Sequence, residues 1–334
     1  TDFEFSPGII WRSGRIKLGA GIRLETGKED IEFDAVNDRK YDLFYFRGLG
    51  AFSSTVEEDG RYSKTQLLGG DLDFSFSGTM ADNLTFLRVS RQTTDIKRGT
   101  TFPLQMVFLD NYSMEASTLF LFKPENKNIS RLKLFYNCRK GYGQEPVVEP
   151  KLEEISWQWS TAAKYTLYWD SESDYGASYT YSKIRDNHHF NWAGTLRMKY
   201  TSDITTYYFV PEYNHQKIGQ MLWEAVYERE LASGKNQLVV ELNGGYRFSP
   251  CHNLEIVEQE ELRGKIQTEF LQHDFDYRVA DLWKAGISVD YGREIRLYKS
   301  PLQFFVETGY QWLSAGFHGQ TMRNLFRINA GINF

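Results

Sequence analysis

The chain has 334 residues and a formal net charge of −5, which gives no basic field for nucleic acid. Two cysteines, Cys138 and Cys251, define neither a disulfide framework nor a zinc site. Aromatics reach 16%, with 27 Gly against 8 Pro, a mix that suits extended, closely packed strands. No apolar run approaches the ~18 residues of a transmembrane helix, and the opening Thr-Asp-Phe-Glu-Phe has no signal-peptide pattern.

Period-two alternation runs from end to end. In 16–25, Ile16, Leu18, Ala20, Ile22 and Leu24 share one face, and Lys17, Gly19, Gly21, Arg23 and Glu25 the other. The pattern returns where Leu132, Leu134, Tyr136 and Cys138 oppose Arg131, Lys133, Asn137 and Arg139. It returns again with Phe190, Trp192, Leu196 and Met198 against Thr195, Arg197 and Lys199, and with Leu238, Val240 and Leu242 against Glu241, Asn243 and Arg247. Turn signals at 81–83, 123–128, 170–174, 185–187, 232–236 and 249–253 separate such runs. The segmentation predicts sixteen strands: 15–25, 41–54, 62–77, 84–95, 112–122, 131–141, 154–169, 174–185, 188–201, 204–213, 220–231, 236–248, 254–279, 284–296, 302–313 and 323–334. With 31–36, 84–95 and the over-long 254–279 the weakest segments, fourteen is the alternative count. No linker or composition shift divides the chain, so residues 1–334 read as one domain.

A soluble sandwich also alternates, and four features favour a membrane barrel. Runs of 11–16 residues exceed the ~5–6 typical of soluble strands and meet the ~9–11 of a tilted membrane strand. Trp157, Trp159 and Trp169 have one parity, and Trp157 and Trp169 are spaced roughly 30 Å apart along a membrane normal, as two aromatic girdles would be. Trp192 and Trp312 join them as girdle candidates. The polar row is charged: Lys17, Arg23, Lys133, Arg139, Arg197, Lys199, Glu241 and Arg247 would line a wet lumen. The final strand alternates Phe326, Ile328, Ala330, Ile332 and Phe334 against Arg327, Asn329, Gly331 and Asn333. A mean hydropathy of −0.51 fits, because only alternate residues would face lipid.

This ending, with its terminal Phe334, resembles the C-terminal β-signal of Gram-negative outer-membrane barrels, read by their barrel assembly machinery. The aromatic and Gly content with Asn-rich and acidic turns resembles uncharacterised outer-membrane barrels of the Bacteroidota. The resemblance implies a closed antiparallel transmembrane β-barrel in the cell outer membrane. Outer-membrane lipids, the assembly machinery and other proteins of an uptake complex would be its partners.

No catalytic, cofactor or metal constellation emerges. His188 and His189 are adjacent in a turn, and neighbours on a strand face opposite ways. His273 and Asp274 alternate likewise, and Cys251 beside His252 in Ser-Pro-Cys-His-Asn is turn chemistry. The glycines at 19, 21, 69, 70, 244, 245 and 331 read as relief of crowding inside a barrel.

A closed barrel of ~16 strands encloses an aqueous channel. Solute transport is therefore the first functional expectation, as a porin-like channel or an accessory barrel of a nutrient uptake system. The alternative is a non-catalytic structural or interaction barrel in a larger outer-membrane complex; an outer-membrane hydrolase ranks last. Closure requires 323–334 to pair antiparallel with 15–25.

Overall fold

The computed structural model describes residues 3–31, 43–46, 52–55, 61–98, 104–122, 128–153, 156–184, 190–209, 212–233, 236–257, 262–297, 300–316 and 321–333. Its strands are β1 (Phe3–Phe5), β2 (Gly8–Ser13), β3 (Ile16–Ile31), β4 (Leu43–Phe46), β5 (Phe52–Thr55), β6 (Arg61–Ser77), β7 (Ala81–Arg98) and β8 (Leu104–Phe122). The series continues with β9 (Asn128–Glu153), β10 (Ser156–Ile184), β11 (Phe190–Phe209), β12 (Glu212–Ser233) and β13 (Asn236–Ile256). Helix α1 (Leu262–Val279) precedes β14 (Leu282–Leu297), β15 (Ser300–Ala315) and β16 (Thr321–Asn333). Fourteen strands make one sheet in the order β1-β3-β6-β7-β8-β9-β10-β11-β12-β13-β14-β15-β16, with β2 also on β3; β4 and β5 form a separate hairpin.

The closed barrel expected from the sequence is overturned: the sheet is open. The free side of β3 is taken by β2, from Ser13↔Ile16 to Gly8↔Gly21, and by β1 at Phe3↔Thr26 to Phe5↔Leu24. A two-residue turn builds that hairpin, with Gly14 at φ 55°, the positive φ that the first position of such a turn demands. At the other edge β16 pairs with β15 alone among the described residues, and 322–330 are exposed. Twelve antiparallel steps lead from β2 to β16 along the sheet order, so the two edge strands run parallel. The antiparallel closure of 323–334 on 15–25 therefore has no free edge to use.

Other expectations change for local reasons. The predicted turn at 170–174 is strand, because Asp170, Glu172 and Asp174 alternate with Ser171 and Ser173 and sit on one face of β10. Residues 249–253 continue β13 past a register shift opposite Gly219 and Met221. The gap at 202–203 closes into a continuous β11. Segment 254–279 becomes mostly α1, with Leu262, Ile266 and Phe270 at four-residue spacing and the period-two parity broken at Leu271. Between Trp157↔Leu152 and Trp169↔Tyr142, twelve residues of β10 oppose ten of β9 across two register shifts, which shortens the distance between the two tryptophans.

The sheet has little interior. The accessible surface of the whole chain is 22564 Å², against roughly 14,000 Å² for a compact protein of this mass. Among the described residues the buried apolar side chains are Ile96, Val107, Ile218 and Phe275. Phe275 belongs to α1, and its ring lies 6.0 Å from that of His252. The helix thus covers a small upper part of one face.

Candidate functional site: the two faces of the sheet

Directly opposed residues in an antiparallel ladder point to the same face, so the registers sort every strand. One row runs Lys17, Ser75, Leu84, Leu119, Lys133, Ser178, Arg197, Glu224, Gly245 and Lys284. Strand parity adds Arg23, Arg139, Lys199, Glu241 and Arg247, so all eight charged residues singled out in the sequence share this polar face. In an open sheet there is no lumen for them to line.

Four of these eight charges are ion-paired on the sheet itself. Arg23 pairs with Glu4 at 3.5 Å and with Glu25. Arg139 reaches Asp170 and Glu172, each at 3.4 Å. Arg197 and Lys284 converge on Glu224 at 3.2 and 3.6 Å. Lys199 holds Asp174 at 2.9 Å, and Arg327 pairs with Glu307. The Asn243 amide donates to Glu241 at 3.0 Å, and the Arg247 guanidinium donates to the Ala280 carbonyl after α1 at 3.4 Å. These cross-strand pairs fix register more than they add stability, since most are partly exposed.

At the upper end of this face Arg278 of α1 pairs with Asp203 and donates to Gln216 at 3.2 Å, while the Gln220 amide donates to the Arg278 carbonyl. Burial pushes the nearby Tyr168 hydroxyl up to about 12, reinforced by Asp170 and Asp203. The period-two reading puts 254–279 in a strand and misses this helix anchor; the four-residue spacing of Leu262, Ile266 and Phe270 is the available signal.

The opposite face is apolar and bare. One of its rows runs Leu18, Phe74, Thr85, Thr118, Leu134, Ala177, Met198, Trp223, Tyr246 and Trp283. Leu72 is 56% exposed, Leu196 64% and Phe326 70%. An apolar surface this wide is far beyond the few hundred Å² that a soluble monomer leaves uncovered. Leu84 and Leu325 are exposed apolar exceptions on the polar face.

Charge bounds this apolar band at both ends. On β12 the same-face residues between Lys217 and Arg229 are Gly219, Met221, Trp223, Ala225 and Tyr227. At the usual rise and tilt of a membrane strand, that interval covers roughly 30 Å. Lys140 opposes the upper limit through Ser171 and Ile204, and Lys183 opposes the lower one through Trp192. Trp169, Trp192 and Trp312 lie on this face. Trp157 and Trp159 belong to β10, but their side chains fall outside the described residues, as do Phe334, His188, His189 and His318.

The histidines that are described are dispersed. His215 Nδ1 lies 2.8 Å from the Thr206 hydroxyl, His252 Nδ1 lies 3.3 Å from the Ser249 carbonyl, and His273 is on α1. Among the described residues no three His, Cys, Asp or Glu side chains are grouped to hold a metal ion.

A protein-family model matches residues 1–334, that of the family of unknown function DUF6850. No curated protein matches the sequence. Among solved structures, the beta domain of the Bordetella autotransporter BrkA is similar, with 12% identity, 81% of this chain and 91% of that chain covered, and a TM-score of 0.33. At that score the likeness carries nothing further.

Proposed function

The chain belongs to the DUF6850 family, and we propose that it is a non-catalytic structural and interaction sheet of the outer membrane, with its apolar face against lipid and its edges joined to other proteins of a larger assembly. The observation that carries this reading is the exposed apolar face, limited above by Lys140 and Lys217 and below by Lys183 and Arg229. No helix among the described residues is long and apolar enough to cross a membrane, so strands alone offer this surface, as in outer-membrane proteins.

The open edges favour the interaction reading over a channel. A strand edge in lipid leaves amides and carbonyls unpaired, each costing several kcal/mol, so β2 and β16 need covering strands. An open sheet also encloses no pore, which removes the premise of the transport expectation. The test is flotation of the purified full chain with phosphatidylcholine vesicles, followed by cross-linking from β16 in native membranes. Co-flotation and a cross-linked protein partner are expected. A chain that stays monodisperse in detergent-free buffer and ignores vesicles would overturn the proposal.

A further inference from the structure

The apolar face is not flat. Between β10 and β13 an open groove of about 460 Å³ runs across it, within the usual size of ligand sites. Gly194 and Gly244 form its floor, and Tyr181, Leu196, Tyr227 and Leu242 rise around them. The floor is low because two side chains are missing from one face: a Cβ at Gly194 would meet nothing within 4 Å.

One step down the strands, a single row carries Lys183, Trp192 and Arg229 in direct opposition on β10, β11 and β12. The Trp192 ring lies 5.5 Å from Tyr181 and 6.5 Å, stacked, from Tyr227, so the aromatic wall of the groove continues to the two cations. Both cations are exposed, and neither has an ion-pair partner among the described residues. On the polar face Arg23, Arg139, Arg197, Lys199 and Arg327 are paired, whereas Lys17 and Lys133 stand singly among the described residues and adjoin no apolar trough. The neighbouring carboxylates Glu228 and Glu230 belong to that polar face by strand parity.

We propose that this groove is a binding site for one anionic phospholipid, with an acyl chain over Gly194 and Gly244 and the headgroup phosphate between Lys183 and Arg229. The chemistry selects the occupant. An apolar trough ending in two unneutralised cations astride an indole matches a molecule with a hydrocarbon tail joined to a phosphate. A free phosphate has no use for the trough, and a zwitterionic lipid already offsets its phosphate with its own ammonium, so the two cations favour a lipid of net negative charge. The site rests on the membrane reading above and specifies which lipid that face selects.

The experiment uses the full chain in detergent micelles and reads tryptophan quenching by brominated phosphatidylglycerol or brominated phosphatidylcholine, with Trp192→Phe defining the Trp192 signal. Wild type is expected to prefer the anionic lipid, with each cation contributing roughly fivefold. Lys183→Gln with Arg229→Gln should equalise the two lipids. Gly194→Phe should fill the trough and weaken both, without disturbing the sheet. Equal quenching of wild type by the two lipids would overturn the inference, as would a preference that survives loss of both cations. Inorganic phosphate binding with the same dependence on Lys183 and Arg229 in the absence of lipid would overturn the lipid assignment. Association with neutral and anionic vesicles alike would sink this site while leaving the membrane reading intact; association with neither would sink both.

Discussion

Arg278, in the last turn of α1, forms an ion pair with Asp203 of β11, a residue 75 positions earlier in the chain. The pair fastens the helix to the polar face beside the buried Ile218 and Phe275. Arg278→Ala should leave Asp203 without its counter-ion and cost about 1–3 kcal/mol. Faster proteolytic cleavage within 262–279, partly restored by Arg278→Lys, is the expected readout. Unchanged cleavage would show that Phe275 and the Gln220 amide on the Arg278 carbonyl hold the helix without the ion pair.

A second prediction concerns pH. Burial holds the Asp170 carboxyl above its ordinary value of 3.8 against the pull of Arg139, with Asp203 adding to the rise. A carboxyl with a raised folded pKa contributes stability that is present below the unfolded value and lost as pH rises through the folded one. Asp170→Asn should therefore change the melting temperature little near pH 3.5 and raise it at pH 7. A variant less stable than wild type at pH 7 would mean that the contact with Arg139 outweighs burial.

Gly176 and Phe135 are opposed on β10 and β9, and a Cβ on Gly176 would clash with the outer edge of the Phe135 ring. The ring lies over the glycine backbone, as Phe305 does over Gly331 on β15 and β16. Gly176→Val should destabilise by about 1–3 kcal/mol through overpacking. Phe135→Ala should remove much of that penalty. A double-mutant cycle with no coupling would refute the stacking.

The faces should respond oppositely to charge. Leu134→Arg puts a cation in the apolar band, at a cost of about 2–4 kcal/mol near a bilayer midplane, and should sharply reduce vesicle flotation. Lys133→Gln, one residue away on the polar face, should leave flotation unchanged. Equal losses from both variants would argue that the sheet does not present one face to lipid.

The alternation of Ile16, Leu18, Ile22 and Leu24 with Lys17 and Arg23 sufficed to place strand β3 and its two faces, because side-chain direction in a strand is set by parity alone. Parity says nothing about what lies beyond the last strand. The hairpin of β2 onto β3 turns on Gly14, a single residue just ahead of the first strand recognised in the sequence, and it decides whether an edge is left for closure. The acidic run 170–174 read as a turn by composition, although acids at every second position already had strand spacing. Segment 254–279 defeats the period-two reading because Leu262, Ile266 and Phe270 fit four-residue spacing as well as alternation, and only the change of parity at Leu271 tells the two apart. The groove was invisible for another reason: Tyr181, Gly194 and Tyr227 adjoin only through register across three strands.

Apart from β1, which skips β2 to join β3, the excursion between β3 and β6 and the helix before β14, each strand pairs with its immediate successor in the chain. Such a meander has short loops to close and assembles hairpin by hairpin, with little entropy spent on distant encounters. Damage should stay correspondingly local. A proline placed mid-strand in β15 should speed amide exchange in β14 and β16 while β7 and β8 keep their protection. The molecule would then behave mechanically as a ribbon of coupled neighbours, fraying from its ends inward.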